Sequence, residues 1–257
     1  MTAALPRALS REIDTAAGAG TLLVAVDYDG TLAHLVTNPR LAVPDSKAAR
    51  AVLALAELPR TPVAIVTGRD RDDLRAVAPA LAASDISIAA SHGADAAPLA
   101  PPTPDPTRLV DVLREVAAGF PGARVEVKSY GAALHTRGLP AELSEPALDA
   151  AVAAGRSAGS GRVIRGDHVV ELTTSLATKG NALAGILDEC SPDVVLYIGD
   201  DTTDEDAFAA LATHPGAITV KVGRGATRAQ HRLNDVGQVA DLLDRLLRVR
   251  TDAVGTS

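Results

Sequence analysis

Five short apolar runs punctuate the chain: TLLVAVDY (21–28), PVAIVTG (62–68), ISIAASHG (86–93), DVVLYIGDD (193–201) and AITVKVG (217–223). Each is apolar on both alternating faces, as a strand covered on both sides must be. Between and after them lie stretches of helical periodicity: SKAARAVLALAEL (46–58), RDDLRAVAPALA (71–82), TKGNALAGILDEC (178–190), TDEDAFAALATH (203–214) and VGQVADLLDRLLRV (236–249). Strands alternating with helices predict an α/β fold, a Rossmann-like parallel sheet with helices on both faces.

The middle of the chain obeys a different pattern. Residues 97–107, APLAPPTPDPT, read as a proline-rich connector and hinge. Beyond it come a helix-like LVDVLREVAAG (109–119), two alternating strands ARVEVKS (123–129) and GAALHTR (131–137), and a second helix-like segment over 141–158. A hairpin candidate is next, RVIRGDHVVEL (162–172), whose Gly166-Asp167 turn is flanked by β-branched residues. This antiparallel style predicts an α+β cap domain inserted at 99–173. The core would then comprise residues 1–98 and 174–250, with 251–257 a disordered tail.

Composition narrows the class. Apolar residues make up 47% and aromatics only 2%, so the core must be built from Ala, Val, Leu and Ile. A net charge of −7 with no basic stripe and no aromatic ladder argues against nucleic acid. The N-terminal stretch lacks the apolar region of a signal peptide, and no run has the ~18 apolar residues of a membrane span. The single cysteine, Cys190, excludes an internal disulfide and fits a reducing compartment. A cytoplasmic protein without membrane contact is expected, as a monomer or weak homo-oligomer. Only four of the 25 basic residues are lysines, Lys47, Lys128, Lys179 and Lys221, so each marks a position where a point charge suits better than a planar fork.

The chemistry gathers where the core strands end. The first ends at Asp27 and Asp29, the second at Thr67-Gly68-Arg69, the third at Ser91-His92-Gly93 and the fourth at Gly199-Asp200-Asp201. Open parallel sheets bind ligands outside these carboxyl ends. Asp27, Asp29 and Asp200 form a hard, oxygen-only donor set suited to Mg²⁺, which leaves positions for water and phosphate oxygens. Thr67, followed by a glycine, suits a phosphate oxygen, and Lys179 at a helix start adds a positive charge that can neutralise a phosphoryl group.

DYDGTLA, VTGR, the lone helix-start lysine and GDDTTDEDAF stand in the order of the four motifs of the haloacid dehalogenase superfamily, which the chain resembles over both core halves. The resemblance implies that Asp27 is the nucleophile forming an aspartyl-phosphate and that Asp29 protonates the leaving group and then activates water. It assigns the phosphoryl oxygens to Thr67 and Lys179. It assigns Mg²⁺ to Asp27, the backbone carbonyl of Asp29 and Asp200, with Asp204 in support directly or through water. Within the superfamily, TPVAIVTGR, SHGAD, VEVK (125–128), His135-x-Arg137, VVE (169–171) and KGNAL look like trehalose-6-phosphate phosphatases. That similarity implies a small-molecule sugar phosphate as substrate, with Glu126, Lys128 and Glu171 on sugar hydroxyls and Gly68, Arg69, Arg137 and Asn181 also in the substrate site.

The residues also admit other readings. Taken alone, Glu126 and Lys128 fit a solvated strand face with a weak ion pair. Several positions depart from the family pattern: Thr67 replaces a serine, HTR lacks the middle aromatic, LTTS lacks a proline, and Asp95 replaces a glutamate. They leave open a phosphatase for another disaccharide or an aminocyclitol pseudo-disaccharide phosphate. A third reading is a catalytically silent sugar-phosphate-binding subunit, against which the joint presence of Asp27, Asp29, Thr67, Lys179 and Asp200 speaks.

Overall fold

The computed structural model describes residues 4–95 and 105–255. In chain order its elements are α1 (Arg7–Ala16), β1 (Leu22–Val26), α2 (Ser46–Ala56), β2 (Val63–Val66), α3 (Arg71–Val77), α4 (Pro79–Ala82) and β3 (Ser87–Ala89). Next come α5 (Pro106–Ala118), β4 (Arg124–Lys128), β5 (Gly131–His135), α6 (Ala141–Ala158), β6 (Arg162–Gly166) and β7 (Val169–Thr173). The chain closes with α7 (Lys179–Cys190), β8 (Val194–Gly199), α8 (Asp204–Ala210), β9 (Ala217–Val222), β10 (His231–Leu233) and α9 (Val236–Gly255).

These elements form two compact units, Met1–Gly93 with Thr178–Ser257, and Ala94–Ala177. In the first, six strands pair in parallel in the order β10-β9-β8-β1-β2-β3. The strand alternation sorts its core into two layers. Leu22, Val24 and Val26 of β1 face a cluster with Leu9, Ile13, Val52, Leu55, Leu242 and Leu246 from α1, α2 and α9. Leu23 and Ala25 face the opposite way, against Leu183, Ala207 and Phe208 of α7 and α8. Chain order runs outward from β1 in both directions, so the sheet reverses between β1 and β8. At such a switch point a crevice opens beyond the strand ends.

The second unit is a four-stranded antiparallel sheet of order β4-β5-β7-β6. Ala132, Leu134, Val170 and Leu172 pack one of its faces against Leu109, Leu113, Leu148 and Ala151 of α5 and α6. Asp105 caps α5 by accepting from the Thr107 amide, with Pro106 at the first helical position, where its missing N–H costs nothing. The unit extends to Ala177, past the expected boundary at 173. The reason is local: the Thr174 amide donates to the Tyr130 carbonyl at 2.8 Å, and the Arg162 guanidinium holds the Ala177 carbonyl. Most of the connector expected over 97–107 lies outside the described residues.

One expectation is overturned. Residues 251–255, assigned to a disordered tail, continue α9, with Thr251 Oγ1 donating to the Leu247 carbonyl at 2.7 Å; residues 256–257 lie outside the described residues. The helix runs on because Arg250 anchors its last turns to the core and no proline interrupts them. Among the elements not anticipated are α1 and the three-residue β10, the latter too short to show a period. No described helix is long and apolar enough to cross a membrane.

Candidate active site

The site assembles at the switch point in the first unit. β1 delivers Asp27, whose amide still donates to the Ile198 carbonyl of β8 at 2.9 Å. The chain then turns sharply: Leu32 and Ala33 amides return to the Tyr28 carbonyl, and Gly30 adopts φ +76°. A side chain at Gly30 would collide with the Asp200 carboxylate, so glycine is what lets the two loops approach.

Lys179, the first residue of α7, reaches into this corner and is 2% exposed. Its ammonium lies 2.8 Å from Asp27 Oδ1 and 2.9 Å from Asp204 Oδ1. A cation at a helix N-terminus opposes the macrodipole, so this placement is set by the carboxylates and not by the helix. Asp204 opens α8 and is fully buried. Its Oδ1 also accepts from the Tyr197 hydroxyl at 2.8 Å, and its Oδ2 accepts from the Asp200 and Asp201 amides at 3.0 and 2.9 Å. A side chain at Gly199 would strike the Asp204 carboxylate. Asp204 is thus held by four donors and organises the loop around it.

Carboxylate oxygens of Asp27, Asp200 and Asp204 lie within 4.8 Å of one another. Against three carboxylates stands one ammonium. Burial, opposed by Lys179 and reinforced by Asp204 and Asp29, pushes the Asp27 carboxyl up to about 7. Burial together with Asp27 and Asp204 holds Asp200 well above the usual carboxylate range. Burial alone would lower Lys179, but Asp204 and Asp27 outweigh it and raise it. Asp200 Oδ1 is buried and has no hydrogen-bond partner among the described residues. A cluster of three carboxyl groups against one ammonium, with oxygen-only donors and an orphaned carboxylate oxygen, fits a divalent cation.

Asp29 points elsewhere. Arg69 grips it with a two-pronged fork, Nε to Oδ2 at 2.6 Å and Nη2 to Oδ1 at 2.7 Å. The same Nη2 donates to the Pro39 carbonyl at 2.9 Å, and the guanidinium lies over the Tyr28 ring, 5.3 Å from its centroid. Tyr28 is fixed in turn by its hydroxyl bond to the Ala42 carbonyl at 2.7 Å. Thr67 is buried and accepts from the Arg69 amide at 3.1 Å, and Gly68 lies against the His92 ring. Asn181 is exposed, and its side-chain oxygen accepts from Thr178 Oγ1, the N-cap of α7, at 2.7 Å.

In the second unit, Glu126, Lys128 and Glu171 share the sheet face turned away from α5 and α6. Glu126, Ala133 and Glu171 form one row across three strands. The small Ala133 and Gly131 between the flanking strands leave Lys128 and Glu171 room to meet at 2.6 Å. Glu126 bonds His135 Nε2 at 2.6 Å. Burial opposes ionisation of Glu126, yet that bond and the Lys128 charge bring it below its usual range. Arg137 stands apart, two residues beyond His135, donating to Asp167 of the β6–β7 turn at 3.0 Å.

The structure therefore brings Asp27, Lys179, Asp200 and Asp204 together, sets Asp29 with Arg69 beside them, and groups Glu126, Lys128 and Glu171. It does not bring Arg137 to that group. Sequence reasoning missed Tyr197, Tyr28 and Lys221, the last of which donates from β9 to the Asp200 and Asp201 carbonyls.

An open parallel sheet with this site at its switch point and a second α+β unit inserted after β3 make up a haloacid dehalogenase-like fold. The trehalose-phosphatase family profile matches residues 25–236, and the chain belongs to that family. Over 235 residues it is 36% identical to the bifunctional trehalose-6-phosphate synthase/phosphatase of Thermoproteus tenax, a match covering 87% of this chain and 32% of that protein. Over 247 residues it is 34% identical to the trehalose-phosphate phosphatase of Mycobacterium marinum, covering 87% of this chain and 60% of that protein. The chain thus spans about a third and about three fifths of these curated relatives. Its fold matches the C-terminal domain of Candida albicans trehalose-6-phosphate phosphatase with a TM-score of 0.83, over 96% of this chain and 98% of that one, at 23% identity.

Proposed function

We propose that this chain is a Mg²⁺-dependent phosphatase that hydrolyses trehalose 6-phosphate to trehalose and phosphate through an aspartyl-phosphate on Asp27. The observation that carries the reading is the buried Asp27–Lys179–Asp204–Asp200 cluster, three carboxyl groups to one ammonium at the switch point of the sheet. Asp27 and Asp200, with the Asp29 carbonyl, would hold the cation. When bound, Mg²⁺ supplies Lewis-acid charge that offsets the carboxylate excess and the phosphate dianion.

Asp27 attacks phosphorus through the carboxylate oxygen that Lys179 orients, and the bond from phosphorus to the sugar oxygen breaks. Lys179 and Thr67 hold the phosphoryl oxygens as charge shifts onto them. Asp29 gives its proton to the departing sugar oxygen. It then takes a proton from water, whose oxygen attacks phosphorus, releasing phosphate and restoring Asp27. Both Asp29 oxygens are gripped by Arg69, so one of those bonds must open and the freed oxygen take up a proton from solvent before that proton can be delivered. Sugar recognition falls to Glu126, Lys128 and Glu171, whose fixed donors and acceptors on a firm strand suit hydroxyl groups.

The test is phosphate release by the full chain with Mg²⁺ from trehalose 6-phosphate, glucose 6-phosphate and sucrose 6-phosphate, with Asp27→Asn as control. Strong preference for trehalose 6-phosphate, abolished in the control, is the expected result. Release only from other phosphoesters would keep the chemistry and overturn the substrate. No release from any would favour the silent sugar-phosphate-binding reading.

A further inference from the structure

β9 carries a buried charge. Ile218, Val220 and Val222 pack into one core layer, and on the opposite face, beside the buried Thr219, Lys221 is 4% exposed. It sits opposite Gly199 in the β8–β9 register, at the end of the strand that leads into Asp200. Among the described residues no carboxylate lies within ion-pair distance of its ammonium. An ammonium taken out of water costs several kcal/mol unless it is well compensated, so a merely structural role is better served by an apolar residue here.

The Lys221 ammonium donates to two main-chain carbonyls, those of Asp200 and, at 3.3 Å, Asp201. The amides of these residues are already engaged by Asp204 Oδ2. The Asp200–Asp201 turn is therefore pinned on both edges, amides by a carboxylate and carbonyls by an ammonium. What this leaves fixed in space is the Asp200 carboxylate, with its buried and unpartnered Oδ1.

We propose that Lys221 is a positioning residue that holds the Asp200 carboxylate in place to receive the divalent cation. The inference rests on the metal-site reading above and adds to it a residue that never touches the cation. A flexible, compact donor suits the role, since it reaches two adjacent carbonyls from one point while its stem packs in the apolar strand. Two effects of removing it oppose each other. Loss of the pin loosens Asp200 and weakens metal binding, as outer-shell losses do by ten- to a hundredfold. Loss of a nearby positive charge would by itself tighten it. The direct backbone bonds decide in favour of the first.

The experiment is calorimetric titration of the full-length chain with Mg²⁺ alone, comparing wild type with Lys221→Met and Lys221→Arg. We expect Lys221→Met to bind Mg²⁺ about ten- to a hundredfold more weakly, with a metal-free melting temperature close to wild type. KM for the sugar phosphate should be little changed, and kcat should recover as Mg²⁺ is raised. Lys221→Arg, which keeps charge and paired donors, should fall between. A change of twofold or less, or tighter binding, overturns the proposal. Should Lys221→Met fail to fold, Lys221→Gln, which retains a single donor, is judged by the same criteria. Absence of Mg²⁺ binding by wild type would instead refute the metal-site reading, whereas binding without turnover of trehalose 6-phosphate would refute only the substrate.

Discussion

Two of the buried cations in the core unit, Arg250 and Lys179, are held in opposite ways. Arg250 of α9 is 1% exposed and meets only neutral oxygens: Thr61 Oγ1 at 3.0 Å and the carbonyls of Ala17, Ala19, Gly20 and Arg60 at 2.5 to 3.4 Å. Its five N–H donors are matched by five acceptors, and nothing further is called for. Lys179 meets carboxyl groups, and there are too many of them for one ammonium to balance. The first cluster is closed and staples two loops, at 17–20 and 60–61, to α9. The second is left short of positive charge, an imbalance of the kind found at functional sites. Burial of charge is thus no guide to function by itself; the balance of the partners is.

Exchanging each cation for methionine should separate the two roles. Lys179→Met is expected to lower kcat about 10³-fold, since the proposed mechanism aims that charge at the phosphoryl oxygens, and steady-state kinetics on the folded protein checks this. Arg250→Met is expected to cost about 3–5 kcal/mol of stability, because several buried acceptors lose their donor, with kcat per folded molecule unchanged. Denaturant unfolding combined with active-site titration measures both quantities. If Arg250→Met instead struck kcat alone, the contrast would collapse.

Arg69 lies between these extremes, a cation paired in a two-pronged grip with a single carboxylate. Arg69→Ala is expected to slow hydrolysis of sugar phosphates about 10²-fold, the scale of general acid–base catalysis. p-Nitrophenyl phosphate, whose leaving group needs no proton, should be far less affected. Equal losses on both substrates would show that Arg69 serves something other than Asp29.

The smallest effect is in the second unit. Glu126 has a folded-state value below its ordinary 4.5, so it contributes stability above that pH and loses it as pH falls through 4.5 and on through the lower folded value. Glu126→Gln should flatten the acid side of the stability–pH curve in that window, as followed by denaturant unfolding at stepped pH. An unaltered curve would mean that the Glu126–His135 bond does not survive in solution.

Much of the core was legible in the sequence because its signals are local. An apolar run ending in DYDG, VTG, SHG or GDD marks both a strand and the loop at its carboxyl end, and parallel sheets place such ends on one edge. The cap elements were equally readable, since alternation and the Gly166-Asp167 turn are short-range features. The features that escaped depend on contacts distant in sequence. Arg69 meets Asp29 across forty positions because β1 and β2 are neighbours, and Lys221 reaches Asp200 only because β9 pairs with β8. Lys221 did leave a signal, as one of four lysines and the only charge in its strand. Arg250 left none, since its acceptors are mostly main-chain carbonyls that no residue type announces. The helical end at 251–255 was hidden for the same reason.

The most direct measurement is to quench the full-length chain with acid during turnover of trehalose 6-phosphate in Mg²⁺, digest it, and locate any phosphoryl group by mass spectrometry. A phosphorylated peptide bearing Asp27, absent in Asp27→Asn, is the predicted result. Sustained turnover with no phosphoryl group on Asp27, or with it on another residue, would contradict the aspartyl-phosphate mechanism.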